Sequence, residues 1–341
     1  MTSIKKIAEI AGVSRGTVDR ALNNRGGVNE DVANRIRSIA KDLGYKTNRA
    51  GLALAARKHP LKIGAIFPSD GNPYFEDVIS GMRAAEKEYA DFGVSVSLKT
   101  TKGFNTSSQL RHIDALVEEG VQAIILSPVN DLAIANRIKD LLSEGIPVIT
   151  ANTDLEKSDR LCYVGTDYFK SGKMAGGLMG LMAAGRKMRI VILTGSIHVL
   201  GHNQSVSGFY SAIKSKYPNL RVVDVEETLD NSDISYELTR RLLSSKDCPD
   251  AIYMTAGAVY GACQAIEEAD MAGKIILLTH DFTGESRGFL EKRVITASIP
   301  QDPYQQGYLP VKLLFDYSLD KEKPQNDRVY TNSYITIPES I

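Results

Sequence analysis

The sequence predicts an α plus α/β fold: an N-terminal three-helix helix-turn-helix head with a hinge helix, followed by two doubly wound parallel α/β lobes. Three observations support this prediction. Apolar residues recur at helical spacing near the N-terminus, positive charge is concentrated in the same segment, and strand-like apolar runs alternate with amphipathic stretches through the rest of the chain. We expect the head at residues 1–46, the hinge helix and linker at 47–60, and the body at 61–341.

The first two predicted helices meet at a glycine turn. Ser3 is a suitable N-cap for a helix whose apolar residues end at Ala11, and Gly12 supplies the backbone freedom of a tight corner. Ser14 caps the second helix, which turns Val18, Ala21 and Leu22 inward. Five residues are left on its outer face: Arg15, Gly16, Thr17, Asp19 and Arg20. That face fits a DNA major groove, because Arg can bind a guanine edge with two hydrogen bonds.

A third helix completes the predicted head. Asn29 is its expected N-cap, and Glu30 and Asp31 fall in the first turn, where the helix dipole favours acidic residues. The loop before it, residues 23–27, contains Arg25, for which we expect a phosphate contact. The glycines of that loop are equally consistent with a plain turn.

The charge distribution supports nucleic-acid binding. Residues 1–58 carry twelve Lys or Arg and five Asp or Glu, whereas residues 59–341 carry 29 basic and 36 acidic residues. The neutral total therefore hides a basic head on an acidic body, and a compact basic module is the electrostatic signature of phosphate binding. A helical capping module with solvated basic side chains is the alternative.

The body is predicted from alternating strands and helices. Amphipathic stretches lie at residues 75–89, 108–118, 133–142 and 234–243, between short β-rich apolar runs at 63–67, 123–126, 147–149, 190–193, 251–254 and 275–278. One sheet of so many strands is unusual, so two lobes are expected. Ligands of such sheets bind beyond the carboxyl ends of the strands, and the polar residues there are the candidates for a cleft.

The sequence also argues against several protein classes. It has no apolar run of about 18 residues and no hydrophobic signal core, so we expect a cytoplasmic protein without a membrane partner. Cys162, Cys248 and Cys263 lack paired or metal-ligand spacing and are expected to be free thiols. Catalytic, phosphate-loop and metal motifs are missing, so we expect no enzyme activity, cofactor or metal.

Five short segments carry a resemblance to a known family: 3–8, 11–14, 17–18, 20–23 and 43–45. Together they look like the DNA-binding head of the LacI/GalR family, which includes the lactose and purine repressors. The resemblance implies a homodimeric transcription regulator, expected to be a repressor, that binds a near-palindromic double-stranded DNA operator and responds to a small molecule, expected to be a sugar or sugar derivative.

The resemblance implies specific DNA contacts. We expect Arg15, Gly16, Asp19 and Arg20 to face bases, and Thr17 and Arg25 to contact phosphate. Asp19 could instead pair with Arg15, and the i,i+4 spacing favours that pairing over a cytosine contact. Residues 48–57 match the family's hinge helix, which adds three expected DNA contacts: Asn48, Arg49 and Leu54, the last matching a side chain that wedges between base pairs. An ordinary interdomain linker is the alternative for this segment.

For the body, the resemblance implies a periplasmic-binding-protein-like fold with three crossovers between lobes. We expect them near residues 162–167, 297–302 and 319–330, which gives a first lobe of about 61–163 and 301–320 and a second of about 164–299 and 328–341. The expected ligand-binding residues lie after strands: Asn72, Tyr74, Phe75, Asn152, Asp167, His202, Asn203, Ser205, Thr255, Asp281 and Gln301. Tyr74 and Phe75 could equally cap the sheet.

One departure from the family pattern affects the expected ligand. Ser205 stands where the family usually has an Arg that grips ligand hydroxyls or a carboxylate with two parallel hydrogen bonds, which Ser cannot reproduce. His198, His202 or Asn203 could take its place. Two other functions stay open at this point: a regulator whose cleft binds no ligand and answers to a protein partner, and a solute-binding protein.

Overall fold

The computed structural model describes residues 4–22, 27–43, 60–320 and 323–341. Most of the predicted hinge segment 47–60 lies outside these residues, and so do four of the predicted DNA contacts: Arg25, Asn48, Arg49 and Leu54.

The described residues form twelve α-helices. They are α1 (Ile4–Ala11), α2 (Arg15–Leu22), α3 (Glu30–Asp42), α4 (Tyr74–Tyr89), α5 (Thr106–Glu118), α6 (Leu132–Ser143), α7 (Tyr168–Ala183), α8 (Leu200–Lys216), α9 (Ser232–Leu243), α10 (Val259–Glu268), α11 (Gly284–Glu291) and α12 (Pro303–Asp320).

Eleven β-strands lie in the described body. They are β1 (Leu61–Phe67), β2 (Val94–Thr100), β3 (Ala123–Leu126), β4 (Val148–Asn152), β5 (Cys162–Gly165), β6 (Met188–Thr194), β7 (Leu220–Glu227), β8 (Ala251–Met254), β9 (Ile276–Thr279), β10 (Ala297–Ser298) and β11 (Arg328–Tyr330).

The head packs three short helices around a small apolar core. Ile7, Val18 and Ile36, one from each helix, are fully buried in it. Ser14 Oγ accepts the Thr17 N–H at 3.1 Å, and Asn29 Oδ1 accepts the Asp31 N–H at 3.0 Å. These side chains satisfy N–H groups that the first turn of a helix leaves free, so the capping roles predicted for both residues are confirmed.

Two separate parallel sheets form the body, as predicted. The first has the order β11-β5-β4-β3-β1-β2, and the second has the order β10-β9-β8-β6-β7. Strands at the sheet centres are apolar on both faces because helices cover both sides. The α plus α/β fold class is confirmed.

Three connections cross between the lobes, and the third differs from the prediction. The chain leaves the first sheet after β5, returns after β10 into α12, and leaves again after β11. Residues 328–330 were expected in the second lobe, but β11 pairs with β5 in the first sheet. The third crossing therefore comes after β11, and the chain then reaches the second lobe, where Thr336 forms a β-bridge with Ser298 of β10. A three-residue exposed strand has too weak an apolar pattern to be recognised in sequence.

The side chain of Gln306, in the first turn of α12, ties the three crossovers together. Its Nε2 donates to the Gln301 carbonyl at 2.8 Å and lies 3.3 Å from both the Thr166 and the Thr331 hydroxyl oxygens. Its Oε1 accepts the Tyr74 hydroxyl at 2.9 Å. Gln306 is fully buried, so these bonds hold each connection to the first lobe without competition from water.

Glycines on α7 let it pack closely against α8. A Cβ at Gly176 would lie 2.8 Å from Ala212 Cβ, and one at Gly180 would lie 2.4 Å from the Tyr217 ring. A Cβ at Gly177 would meet nothing within 4 Å, so that glycine makes no such contact.

Of the cysteines, Cys162 and Cys263 are buried and Cys248 is partly exposed, and all three are free thiols. None of the described helices combines the length and the apolar character needed to cross a lipid bilayer.

Replacing Gln306 with Met should lower the free energy of unfolding by about 3 kcal/mol, because several buried polar groups would lose their partner at once. Urea unfolding of the full chain measures the effect. Gln305→Met, at the neighbouring partly exposed position, is the matched control and should change stability by less than about 1 kcal/mol. Equal losses in the two variants would contradict the role given to Gln306.

Candidate functional site

The outer face of α2 is open to solvent. Arg15, Gly16 and Arg20 are exposed and Thr17 and Asp19 are partly exposed, while Val18 on the opposite side is fully buried. The five residues therefore lie as the helix-turn-helix pattern predicted. Their contacts with bases and phosphate stay a prediction, as does the choice between a cytosine and Arg15 as the partner of Asp19.

Two side chains of this face are already held by the helix. Arg20 Nε donates to the Gly16 carbonyl at 3.2 Å, and the Thr17 hydroxyl lies 2.9 Å from Ser14 Oγ. Both bonds are at the surface, where exchange for another partner costs little. Arg20 can therefore extend from the helix towards a base edge without breaking the head core.

The second candidate site is the cleft between the lobes. Here the carboxyl ends of both sheets face each other, and two cavities share Asn72, Gly257 and Asp281 in their walls. The outer cavity has a volume of about 270 Å³ and the inner one about 30 Å³. The inner volume is enough for a water molecule or two, so a larger ligand enters only if the lobes move apart.

Eight of the eleven expected ligand residues line the inner cavity. They come from six separate stretches of chain: Asn72, Tyr74, Phe75, Asn152, His202, Thr255, Asp281 and Gln301. Their position makes these residues available to a ligand, and we propose that they bind one.

The other three expected residues, Asp167, Asn203 and Ser205, are not among the lining residues. Each of them makes other contacts at the end of a helix or within one. Asp167 caps α7 by accepting the Lys170 N–H at 3.0 Å, and Asn203 donates to the Ile197 carbonyl at 2.8 Å. Ser205 is fully buried, and its backbone packs against α7, where a Cβ at Gly172 would lie 2.1 Å from the Ser205 carbonyl oxygen. Ser205 therefore lies in the contact between α7 and α8 and lines neither cavity.

Phe104, Tyr168 and Asp230 also line the inner cavity, although they were not predicted from the sequence. Phe104 follows β2 and Asp230 follows β7, and each of these strands lies at the edge of its sheet. Most residues of β7 are exposed and its apolar residues do not alternate regularly, so it was not recognised as a strand. Alternation with period two in β2 was the signal that could have located that strand, and hence Phe104.

Loops of the two lobes touch each other around the cleft. The Asn130 N–H donates to the His198 carbonyl at 3.0 Å, and the Gly201 N–H donates to Thr153 Oγ1 at 3.3 Å. The Phe104 and His202 rings meet edge to face with centroids 6.2 Å apart. The segment after β6 therefore closes the second lobe onto loops of the first.

An aromatic and amide cluster forms the first-lobe wall. Asn152 takes a left-handed backbone conformation with φ 67°, which Asn tolerates better than most residues, and this aims its side chain inward. Its Nδ2 donates to Gln306 Oε1 at 3.2 Å and lies 3.3 Å from the Tyr168 hydroxyl oxygen. Tyr74 and Phe75 pack edge to face with centroids 5.5 Å apart. The ligand-facing wall is thus linked directly to the side chain that joins the crossovers.

Two carboxyl groups face this wall from the second lobe. Burial, together with the nearby Asp230, raises the pKa of Asp281 to about 7. The Gln301 amide, which donates to Asp281 Oδ1 at 3.1 Å, acts in the opposite direction. Burial also raises the pKa of Asp230, and the nearby His202 opposes this shift. Each carboxyl group is therefore costly to ionise in the absence of a positive partner.

His202 lies beside Asp230 and is neutral. Its Nδ1 accepts the Ser196 N–H at 3.0 Å, so the proton of the neutral ring is on Nε2. Burial lowers the pKa of this imidazole, although Asp230 acts in the opposite direction. Gly195 makes the arrangement possible, because a Cβ there would lie 2.3 Å from the His202 ring and 2.7 Å from Asp230 Oδ1.

Comparison with known protein families finds two matches. The family model described as periplasmic binding protein domain matches residues 63–323, and the model described as bacterial regulatory proteins, lacI family, matches residues 3–48.

Individual proteins resemble the body or the whole chain. The ribose operon repressor of Lactococcus lactis is 24% identical over 323 residues, covering 94% of this chain and 92% of that protein. The ABC transporter periplasmic-binding protein YphF of Escherichia coli is 29% identical over 259 residues, covering 73% and 78%. The crystal structure of GanP, a glucose-galactose binding protein from Geobacillus stearothermophilus, superposes with a TM-score of 0.75 at 24% identity, covering 83% of this chain and 99% of that one. The similarity to the GanP structure shows the fold of the body of this chain.

Replacing Asp281 with Asn should stabilise the protein increasingly between about pH 4 and pH 7. In this range the unfolded carboxyl group ionises while the buried one, with its pKa of about 7, resists, so the wild type loses stability as pH rises. The gain should level off above pH 7 at about 2–4 kcal/mol. Urea unfolding at a series of pH values measures it, with the exposed Asp140→Asn as control. A pH-independent difference between the Asp281→Asn variant and the wild type would contradict the assignment.

Proposed function

The chain belongs to the lacI family of bacterial regulatory proteins and has a periplasmic-binding-protein body, and from this premise we propose how its two sites work together. It is a DNA-binding transcriptional regulator. We infer that it acts as a homodimeric repressor of a near-palindromic operator, because each chain presents one recognition helix, α2, and a two-fold pair presents two to successive major grooves. Its effector is a sugar-like molecule held in the interlobe cleft.

The observation that carries the effector proposal is the composition of the cleft wall. Aromatic rings of Tyr74 and Phe75 stand on one side, and hydrogen-bonding groups of Asn72, Asp281 and Gln301 converge from the others. A ring with an apolar face and a rim of hydroxyls is complementary to such a wall. The names of two relatives, a ribose operon repressor and a glucose-galactose binding protein, agree with this class of ligand.

The contacts around the cleft suggest how the effector controls DNA binding. Hydrogen bonds from Asn130 to His198 and from Gly201 to Thr153 hold the lobes closed, and a ligand that enters must break and remake them. The effector thereby shifts the population between open and closed lobes, which changes the relative position of the two hinge segments in the dimer. The effect on DNA affinity cannot exceed the difference in ligand affinity between the two states.

Thermal unfolding with a panel of pentoses, hexoses, hexuronates, amino sugars and polyols tests the effector proposal. A cleft ligand at 100 times its Kd should add about 2.7 kcal/mol of stability. Gly257→Val should abolish the increase, since even a Cβ there would lie 3.2 Å from Asp230 Oδ1 and 3.4 Å from Asn72 Nδ2. Gly177→Val is the matched control, as a Cβ at that site meets nothing within 4 Å. A ligand that stabilises the Gly257→Val variant as well as the wild type binds elsewhere and refutes the proposed site.

Replacing Arg20 with Ala should weaken binding to an operator selected from a random duplex library by about 1–3 kcal/mol and relax the preference at one base position. Fluorescence anisotropy with the selected and with random duplexes measures both quantities. Arg37→Ala removes the same charge from an exposed position on α3 and should leave the ratio of specific to random binding unchanged. If Arg20→Ala weakens both duplexes equally, Arg20 is a phosphate contact.

A further inference from the structure

The cleft wall has more hydrogen-bond acceptors than the chain itself satisfies. Asp230 Oδ1 and Gln301 Oε1 are both buried and have no hydrogen-bond partner among the described residues. Gln301 as a whole is only 4% exposed, and its amide nitrogen is committed to Asp281. Buried acceptors without partners cost free energy, so a ligand that brings donors to them gains more than one that brings acceptors.

The wall also has a surplus of negative groups. Asp230 and Asp281 line the same inner cavity, and Glu285 joins Asp281 in the wall of the outer one. Neither cavity has a Lys or Arg among its lining residues in the described part of the chain. His202 does not compensate, because its ring is buried and neutral. The potential in the cleft therefore favours a positive ligand.

Gly257 brings the two lobes together at this point. A Cβ on it would lie 3.2 Å from Asp230 Oδ1 and 3.4 Å from Asn72 Nδ2, so the acid of the second lobe and the amide of the first approach the same glycine. A ligand group seated here contacts both lobes at once. The charge of that ligand group therefore affects the stability of the closed lobes.

We propose that the effector is an amino sugar: a polyhydroxylated ring whose protonated amine lies between Asp230 and Asp281 and whose hydroxyls donate to Gln301 Oε1. This inference rests on the proposed function and specifies its ligand class. The ammonium group donates up to three hydrogen bonds and supplies the positive charge that the two carboxylates lack. A ligand carboxylate or phosphate at the same place would meet two acids and no cation, so acidic sugars are excluded.

Calorimetry with the full chain at pH 7 tests the inference on matched ligands: D-glucosamine, D-galactosamine and D-mannosamine, their parent hexoses, and the corresponding hexuronates. At least one amine should bind about 10-fold to 100-fold more tightly than its parent hexose, the range expected for charge-assisted hydrogen bonds. Asp230→Asn should bring that ratio close to one, whereas Asp233→Asn, exposed on α9, should preserve it.

The possible outcomes separate this inference from the function on which it rests. If a neutral hexose or a hexuronate binds as tightly as its amine, the amino-sugar inference is wrong while sugar sensing stands. An amine preference that survives Asp230→Asn also overturns it, because the charge recognised would then lie elsewhere. If no compound of the three series binds, the amino-sugar inference fails, and thermal unfolding with the pentoses and polyols of the wider panel then decides the sugar-sensing proposal.

Discussion

The arrangement of two parallel sheets with their carboxyl ends facing each other determines everything else in the body. Because three connections cross between the lobes at one edge, residues from position 68 to position 301 converge on a single cleft. Gln306 maintains this convergence by bonding to groups in all three connections. Its Oε1 also accepts from Tyr74 and Asn152, so the wall that faces a ligand and the joint about which the lobes move share one buried side chain.

Electrostatics distinguishes this cleft from the family pattern that the sequence resembles. Ser205 stands in place of the usual Arg, and two acids, Asp230 and Asp281, line the inner cavity. Burial raises the pKa of both Asp230 and Asp281, and neither cavity is lined by a Lys or Arg in the described part of the chain, so ionising these carboxyl groups costs free energy in the closed lobes. An effector that brings a positive charge to these two carboxyl groups offsets that cost. Effector binding therefore favours closure of the lobes.

The sequence was sufficient for the fold and for eight of the residues that line the inner cavity, for identifiable reasons. Central strands such as β3 and β8 are buried on both faces and show as uninterrupted apolar runs, and the polar residues that follow them, including Asp281 after β9, were located from that signal. Edge strands are half solvated, so β2 and β7 gave no such run and Phe104 and Asp230 were missed with them. Ser205, expected among the ligand-binding residues, lies in the contact of α8 with the glycines of α7, and the sequence alone does not show which neighbour a helix packs against.

The account centres on a coupling between the interlobe cleft and the DNA-binding head, and reciprocal titration measures that coupling most directly. The affinity for the selected operator would be determined with and without saturating effector, and the affinity for the effector with and without saturating operator. Linkage requires the two ratios to be equal, and the account predicts a common factor of about 5 to 150. An effector that binds the cleft with the same affinity in the presence and absence of operator would contradict it.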